Sequence, residues 1–316
     1  MKTKYVIAGL VVLTLVVSMN PRANADQSLQ QKYDSLFVLA SSGEVMFRDL
    51  VEPAKDSIAA MGEIVVPFLI EEFATKSARE RWAVIHILTR IGSPAVPYLV
   101  RALSRPDGLI VERVCWALGD IGDTAAVRDL VAIGGHERWQ VRDQAVGALG
   151  KIGSPDQGAA EAVASALADS IGQVRKAGAV ACGQLALDDA IGDLMMLLDD
   201  DFYGARFAAH EALTKLDTER VVEAAAIAID EASVLAHTIV CDLLARLGTT
   251  PARRLLFEQA MTAPFQRHAA AATALIRSRA DVAPILTRFF GAREDDRLVR
   301  LKLQSASGIP GNYGPQ

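Results

Sequence analysis

The chain has 316 residues, of which 51% are apolar and 22% charged, and its formal net charge is −5. An acidic chain without a basic stripe is poorly suited to gripping phosphates, which excludes nucleic acid as the expected partner. Three cysteines are too few and too widely spaced for a disulfide framework, so a small stapled fold is excluded as well.

The first element is a targeting segment. Lys2 and Lys4 precede an uncharged apolar run from position 5 to 19, which breaks at Asn20-Pro21 and is followed by Ala23-Asn24-Ala25 ahead of Asp26. A basic start, an apolar stretch and an A-x-A site are the layout of a secretory signal. The apolar run of 15 residues is shorter than the ~20 needed to span a bilayer. Cleavage after Ala25 is expected to leave a secreted or periplasmic protein with no membrane span. It removes Lys2, Lys4 and Arg22, so 30 basic residues then face 38 acidic ones and the net charge becomes −8. No cysteine follows the site to carry a lipid anchor.

Residues 26–47 hold a helix over 29–40, with Tyr33, Leu36, Phe37 and Ala40 on one side, expected to cap the repeats C-terminal to it. From 48 to 303 the chain repeats itself. ALGKIG over 148–153 returns as LTRIG over 88–92, LGDIG over 118–122, LLARLG over 243–248 and ALTKLD over 212–217. Anchoring on the apolar residue before each turn gives Met61, Ile91, Ile121, Ile152, Leu185, Leu216, Leu247 and, degenerately, Ser278, in steps of 30, 30, 31, 33, 31, 31 and 31. So regular a period predicts an all-α solenoid of about eight to nine stacked repeats.

Two kinds of helix alternate within the repeat. The first kind follows each turn, at 95–103, 157–167 and 190–198. The second kind leads into the next anchor, at 79–91, 110–121, 140–152, 174–185, 205–216, 235–247 and 267–278. Gly92-Ser93-Pro94 and Gly153-Ser154-Pro155 place a glycine past a helix end, then a capping serine and a proline that starts the next helix, so each pair is expected to be antiparallel. At 100° per residue, positions 0, −3, −4, −7 and −11 from the anchor form one core side. In the fourth unit these are Ile152, Leu149, Ala148, Ala145 and Val141. Positions −2, −5 and −9 are expected to face solvent or whatever the solenoid holds. Cys115, Cys182 and Cys241 lie at least two repeats apart, beyond the ~7 Å reach of a bridge, and read as small buried hydrophobes. Residues 295–303 suggest a last amphipathic helix, and 304–316 a disordered tail rich in glycine and proline.

Val141-Arg142 with ALGKIG, and Val174-Arg175 with CGQL, resemble HEAT repeats of the short type found in phycobilin-lyase-like proteins. The resemblance covers about 48–291 and implies a right-handed α–α superhelix. It further implies that the second-kind helices line the concave surface, and that protein binding is the usual role. It brings no bilin-handling residue with it.

Position −10 holds Arg81, Arg142, Arg175 and Arg206, with Val111 the exception. With Glu137, Asp169, Asp200 and Asp201 in the preceding turns, this pattern points to a structural arginine–aspartate ladder. The alternative is an anion-binding strip. His237 and His268 continue the register in the last two units, where they are expected to face one another without forming a metal site. Another family with this repeat, deoxyhypusine hydroxylase, holds iron through His-Glu pairs. His136-Glu137 and His210-Glu211 stand out of register here, sixteen and six residues before their anchors, so that family's metal centre is not expected. No Gly-rich phosphate loop, HExxH or nucleophile elbow occurs.

The exposed stripe carries the sharpest functional signal. Positions −9 and −5 are Trp82 and His86, then Glu112 and Trp116, then Asp143. Aromatic anchors ringed by acids suit a protein or peptide and favour a basic one. The competing expectation is that helix 29–40 buries both tryptophans. Phe207 on the same stripe is expected to pack. The sequence thus predicts an exported, non-catalytic scaffold without metal or cofactor. The alternative is a metal- or cofactor-dependent enzyme on the same scaffold, resembling deoxyhypusine hydroxylase or a bilin lyase.

Overall fold

The computed structural model describes residues 23–154, 156–263 and 265–278. Most of the expected signal, Pro155, the expected helix at 295–303 and the tail at 304–316 lie outside the described residues. Among the described residues there are sixteen α-helices and no strand, the all-α solenoid pattern that the repeat period predicts. They fall into two compact units, Met1–Ser154 and Pro155–Gln316.

Unit 1 holds α1 (Ala23–Ala40), α2 (Arg48–Ala59), α3 (Val66–Glu72), α4 (Ala78–Ile91), α5 (Val96–Ala102), α6 (Gly108–Ile121), α7 (Val127–Ile133) and α8 (Trp139–Ile152). The second-kind helices α2, α4, α6 and α8 pack in that order, and α3, α5 and α7 each cover the helix that comes next in the chain. Helix α1 closes the row on α2, where Tyr33 is buried and its ring lies 5.6 Å from Phe37 and 5.3 Å from Phe68 of α3.

Unit 2 repeats the plan with α9 (Gln157–Ser165), α10 (Gly172–Leu185), α11 (Ile191–Met196), α12 (Tyr203–Leu213), α13 (Thr218–Ala228), α14 (Val234–Leu247), α15 (Thr250–Thr262) and α16 (Phe265–Arg277). Here α10, α12, α14 and α16 form the second-kind row, and α11, α13 and α15 the first-kind row.

The turns obey the expected chemistry, with three differences. Gly92, Gly122, Gly153 and Gly248 all take positive φ, between 62° and 76°, the left-handed region that costs glycine least. The fifth unit has Ala186 there instead, at φ 53°. The first difference is that most first-kind helices meet their turns through a short 3-10 segment, such as Ser93–Ala95. The chain turns by 109° across Gly92, less than an antiparallel pair requires. Second, neither expected serine caps: the segment that starts at Ser93 has no side-chain cap, and after Gly153 the cap is Asp156. Asp156 accepts from Gly158 N at 2.9 Å, and Asp123 from Ala125 N at 2.9 Å, while the Ser93 hydroxyl bonds Asp123. Third, α12 stops at Leu213, three residues before its anchor, because no glycine reverses the chain there and Asp217 already caps Arg220 N of α13.

The core positions shown by the fourth unit behave as predicted, and so does the anchor Leu216, which is buried, whereas the anchors that end a helix do not. Val141, Ala145, Ala148 and Leu149 are buried, each large apolar side chain worth about 1.5–3 kcal/mol. Ile91, Ile121, Ile152, Leu185 and Leu247 are only half-buried, since the last residue of a helix has neighbours on one side alone. Position −2 meets the expectation of solvent at Thr89, which is exposed, and reverses it at the glycines. Gly119, Gly150 and Gly183 are buried, because a helix inside a stack is flanked by the next helix as well as by its own hairpin partner. A Cβ on Gly119 would stand 2.8 Å from Ala148 Cα, and one on Gly183 3.0 Å from Ala212 Cα. These two contacts set the close approach of α6 to α8 and of α10 to α12. The three cysteines are free and buried, and burial pushes each thiol up to about 12.

Candidate functional site

Rows −9 and −5 of unit 1 do face outward. Trp82 on α4 is 50% exposed, His86 is exposed, and Glu112, Trp116, Asp143 and Gly147 are half-buried on α6 and α8. The Trp82 and Trp116 rings meet edge to face, 4.9 Å between centroids at 85°, and His86 stands 5.6 Å from Trp82. Such a pair is favourable beyond its buried area and leaves a right-angled corner bounded by two π-faces. Helix α1 spends its rings on Phe68, so the expectation that it would bury Trp82 is not met. On α8 the −5 position is Gly147, where a Cβ would meet open space, so the row carries no side chain there.

The carboxylates are less free than the sequence suggests. Burial raises the Glu112 pKa, against the pull of Arg113, Arg138 and Arg81, while Asp143 adds to the rise. The Arg138 guanidinium lies 3.9 Å from Glu112, and the Gln144 amide donates to Asp143 at 3.1 Å. The net negative field over the tryptophans is therefore smaller than two bare carboxylates would give.

The −10 arginines hold backbone carbonyls at the turn preceding their own helix. Arg81 donates to Lys76 O at 3.1 Å, Arg142 to His136 O at 2.9 Å and Glu137 O at 3.1 Å, and Arg206 to Asp201 O at 3.2 Å. Arg175 also grips carboxylates: two bonds to Asp200, 2.6 and 2.8 Å, and one to Asp201, 2.7 Å, besides Asp169 O at 2.8 Å. Two members that are out of register escape the sequence pattern. Arg113 replaces the absent arginine at 111 by reaching Phe73 O and, at 2.7 Å, Thr75 O, and Arg267 donates to Asp230 O at 2.9 Å. A basic residue shifted by one or two positions is their only signal.

The histidines of unit 2 are interior groups. His237 is buried, its Nε2 3.2 Å from Gln259 Oε1 and its Nδ1 3.6 Å from Cys241 Sγ. His210 is buried among Glu211, Asp242 and Arg246. Among the described residues no group of three or more His, Cys, Asp or Glu is placed to hold a metal ion. Phe207, expected to pack, is instead 55% exposed and stacks at 6.4 Å on Tyr203, itself 69% exposed and lying under the Arg206 guanidinium. Tyr203 carries no sequence signal because it lies in the helix's first turn, outside the −9/−5 rows.

A row of parallel-stacked helices that presents aromatic pairs and spends its arginines on its own turns is the construction of a helical-repeat scaffold. Residues 66–137 match the family described as HEAT repeats, so that stretch of α3 to α7 is a HEAT-repeat segment. No curated protein matches the chain. Among solved structures it is similar to the Escherichia coli protein YibA, at 14% identity and a TM-score of 0.50, over 82% of this chain and 97% of that one. It is also similar to human deoxyhypusine hydroxylase in complex with glycerol, at 19% identity and a TM-score of 0.35, covering 80% of this chain and 97% of that one. An engineered protein aligns at 15% identity and a TM-score of 0.42 over 92% of both chains. The likeness to YibA shows the fold; the two looser superpositions carry nothing about activity.

Proposed function

We propose that this chain is an exported, non-catalytic HEAT-repeat scaffold whose second-kind helix face in unit 1 binds a protein or peptide. The observation that supports this reading is the half-exposed Trp82 standing edge-on to Trp116. Two of the protein's three tryptophans lie open in one corner of a stacked-helix face. Tryptophans in such corners are typical interface anchors, each costing about 2 kcal/mol or more of binding when truncated. Apolar contact supplies the affinity. Glu112 and Asp143 orient a basic side chain of the partner over the rings, where a cation gains a further ~0.5–2 kcal/mol.

The test is co-purification of the mature chain from its extracytoplasmic compartment, wild type beside a Trp82→Ala, Trp116→Ala variant. A partner held by the wild type and lost by a variant that melts normally is the expected result. Equal capture by both removes the site. Stoichiometric iron or zinc in the purified protein would instead favour an enzyme on this scaffold.

A further inference from the structure

The outward row of the first-kind helices changes character along the chain. Taking one exposed residue from each helix at the repeat spacing gives Glu71, Arg101, Ala132, Ser165, Met196, Ile227 and Phe257, in steps of 30, 31, 33, 31, 31 and 30. From Glu71 to Ser165 this row is charged or small. Beyond Ser165 it turns apolar while staying in solvent: Met196 is 69% exposed, Ile227 80% and Phe257 37%. These three sit on α11, α13 and α15, which pack side by side, so they form one stripe about 20 Å long at usual helix spacings. An exposed apolar stripe of this kind marks an interaction surface rather than a folding requirement.

The charges beside the stripe say what covers it. One turn earlier on the same helices stand Asp193, Glu223 and the pair Arg253 and Arg254, all exposed. The sign therefore reverses from acidic at α11 to basic at α15. Arg253 also reaches Ser278 O at 3.4 Å, and Glu258 borders Phe257 on the far side, one charge against two. A uniformly basic partner is repelled at the α15 end and a uniformly acidic one at the α11 end. A second copy of the chain, related by a two-fold axis along α13, matches both ends at once. Met196 then meets Phe257 of the other copy, Ile227 meets its own mate, and Asp193 meets Arg253 and Arg254.

We propose that the α11–α13–α15 face of unit 2 is the interface of a two-fold homodimer. The same geometry brings Glu223 against its own mate at the rim, so it also predicts one substitution that tightens the dimer. Sedimentation equilibrium of the full mature chain tests this at concentrations up to about 100 µM, the range in which a small interface assembles. Wild type is expected to dimerise, and Ile227→Glu to weaken it by about tenfold or more with an unchanged melt. Glu223→Gln is expected to strengthen it by about two- to fivefold. Asp193→Lys and Arg253→Glu/Arg254→Glu, each weakened alone, should recover a dimer when mixed, because both mixed contacts pair opposite charges. A wild type that stays monomeric throughout, a dimer indifferent to Ile227→Glu, or charge variants that fail to recover on mixing each overturns the proposal.

Discussion

Units 1 and 2 share a core and differ in almost everything outside it. Gly119 against Ala148 and Gly183 against Ala212 are the same close approach made twice, and both lie beside buried Ala, Leu and Cys at matching positions. Around that core, unit 1 offers a tryptophan corner on one face and a polar or small row on the other. Unit 2 is apolar outside on both faces, with Tyr203 and Phe207 on one and Met196, Ile227 and Phe257 on the other. It buries the Arg175–Asp200 pair, His210 and His237, where unit 1 buries Lys55 and Arg113. The repeat therefore constrains what neighbouring helices share. It leaves each unit free to spend surface on a partner and interior on charge.

The largest expected effect bears on that interior charge. In the Arg175–Asp200 pair the side chains are 14% and 7% exposed, and Arg175→Ala leaves the carboxylate buried and unpaired, at a cost of about 3 kcal/mol in urea unfolding. Burial alone would raise the Asp200 pKa, but the Arg175 hydrogen bonds and the Phe202 N–H outweigh it and hold it below the ordinary carboxylate value. The pair's contribution is thus complete above the unfolded pKa of about 4 and is lost as pH falls through the lower folded value. Arg81→Ala in unit 1, which frees the Lys76 carbonyl at a turn, should cost about 1 kcal/mol. Equal losses would erase the contrast.

Next come the glycines, where the units should agree. Gly119→Val drives a side chain into Ala148 and should cost about 2–3 kcal/mol, with Gly183→Val slightly less because its contact is 0.2 Å longer (3.0 against 2.8 Å). A neutral outcome at either position in a urea series would show that the helices can separate freely.

The histidines separate the units by pH. In His210, burial and then the Arg246 guanidinium lower the pKa against Asp242 and Glu211; in His237, burial lowers it against the Gln259 hydrogen bond. Both shifts are downward, so the unfolded chain takes up protons first as pH falls below about 6.5, and stability declines from there. His210→Gln should flatten that decline by about 1 kcal/mol, read from urea midpoints at several pH values. No flattening would show that the ring is as solvated as in the unfolded chain.

The smallest effects belong to the outward aromatics. Phe207→Ala should change stability by less than about 1 kcal/mol, because its ring is more than half in solvent. Trp82→Ala should likewise be mild despite the Trp116 contact, and a loss of several kcal/mol in thermal melts would make the corner a packing feature instead of a surface.

Much of this architecture is legible in the residues alone. The Ile91–Ile121–Ile152 period reports the repeat because each turn must be closed the same way. The −9/−5 rows report an outward stripe because helix geometry alone places Trp82 and Trp116 on it. What periodicity cannot supply is how many sides of a helix its neighbours cover. Gly119 and Gly183 read as solvent-facing since a single helix has only one core side, whereas a stacked one has three. Ile91 and Ile152 read as core although a helix end is only partly walled. Arg113 escapes the pattern since a long guanidinium reaches the same carbonyls from a shifted position. Phe207 reads as packing, but its neighbour Tyr203 stacks on it in the open. Composition and spacing determined that this protein is a stack of helical hairpins with an aromatic outward row, because those features are local and periodic. Which rings stay open, which charges are buried and which outer row turns apolar were decided only by tertiary packing, since each depends on residues some thirty positions away.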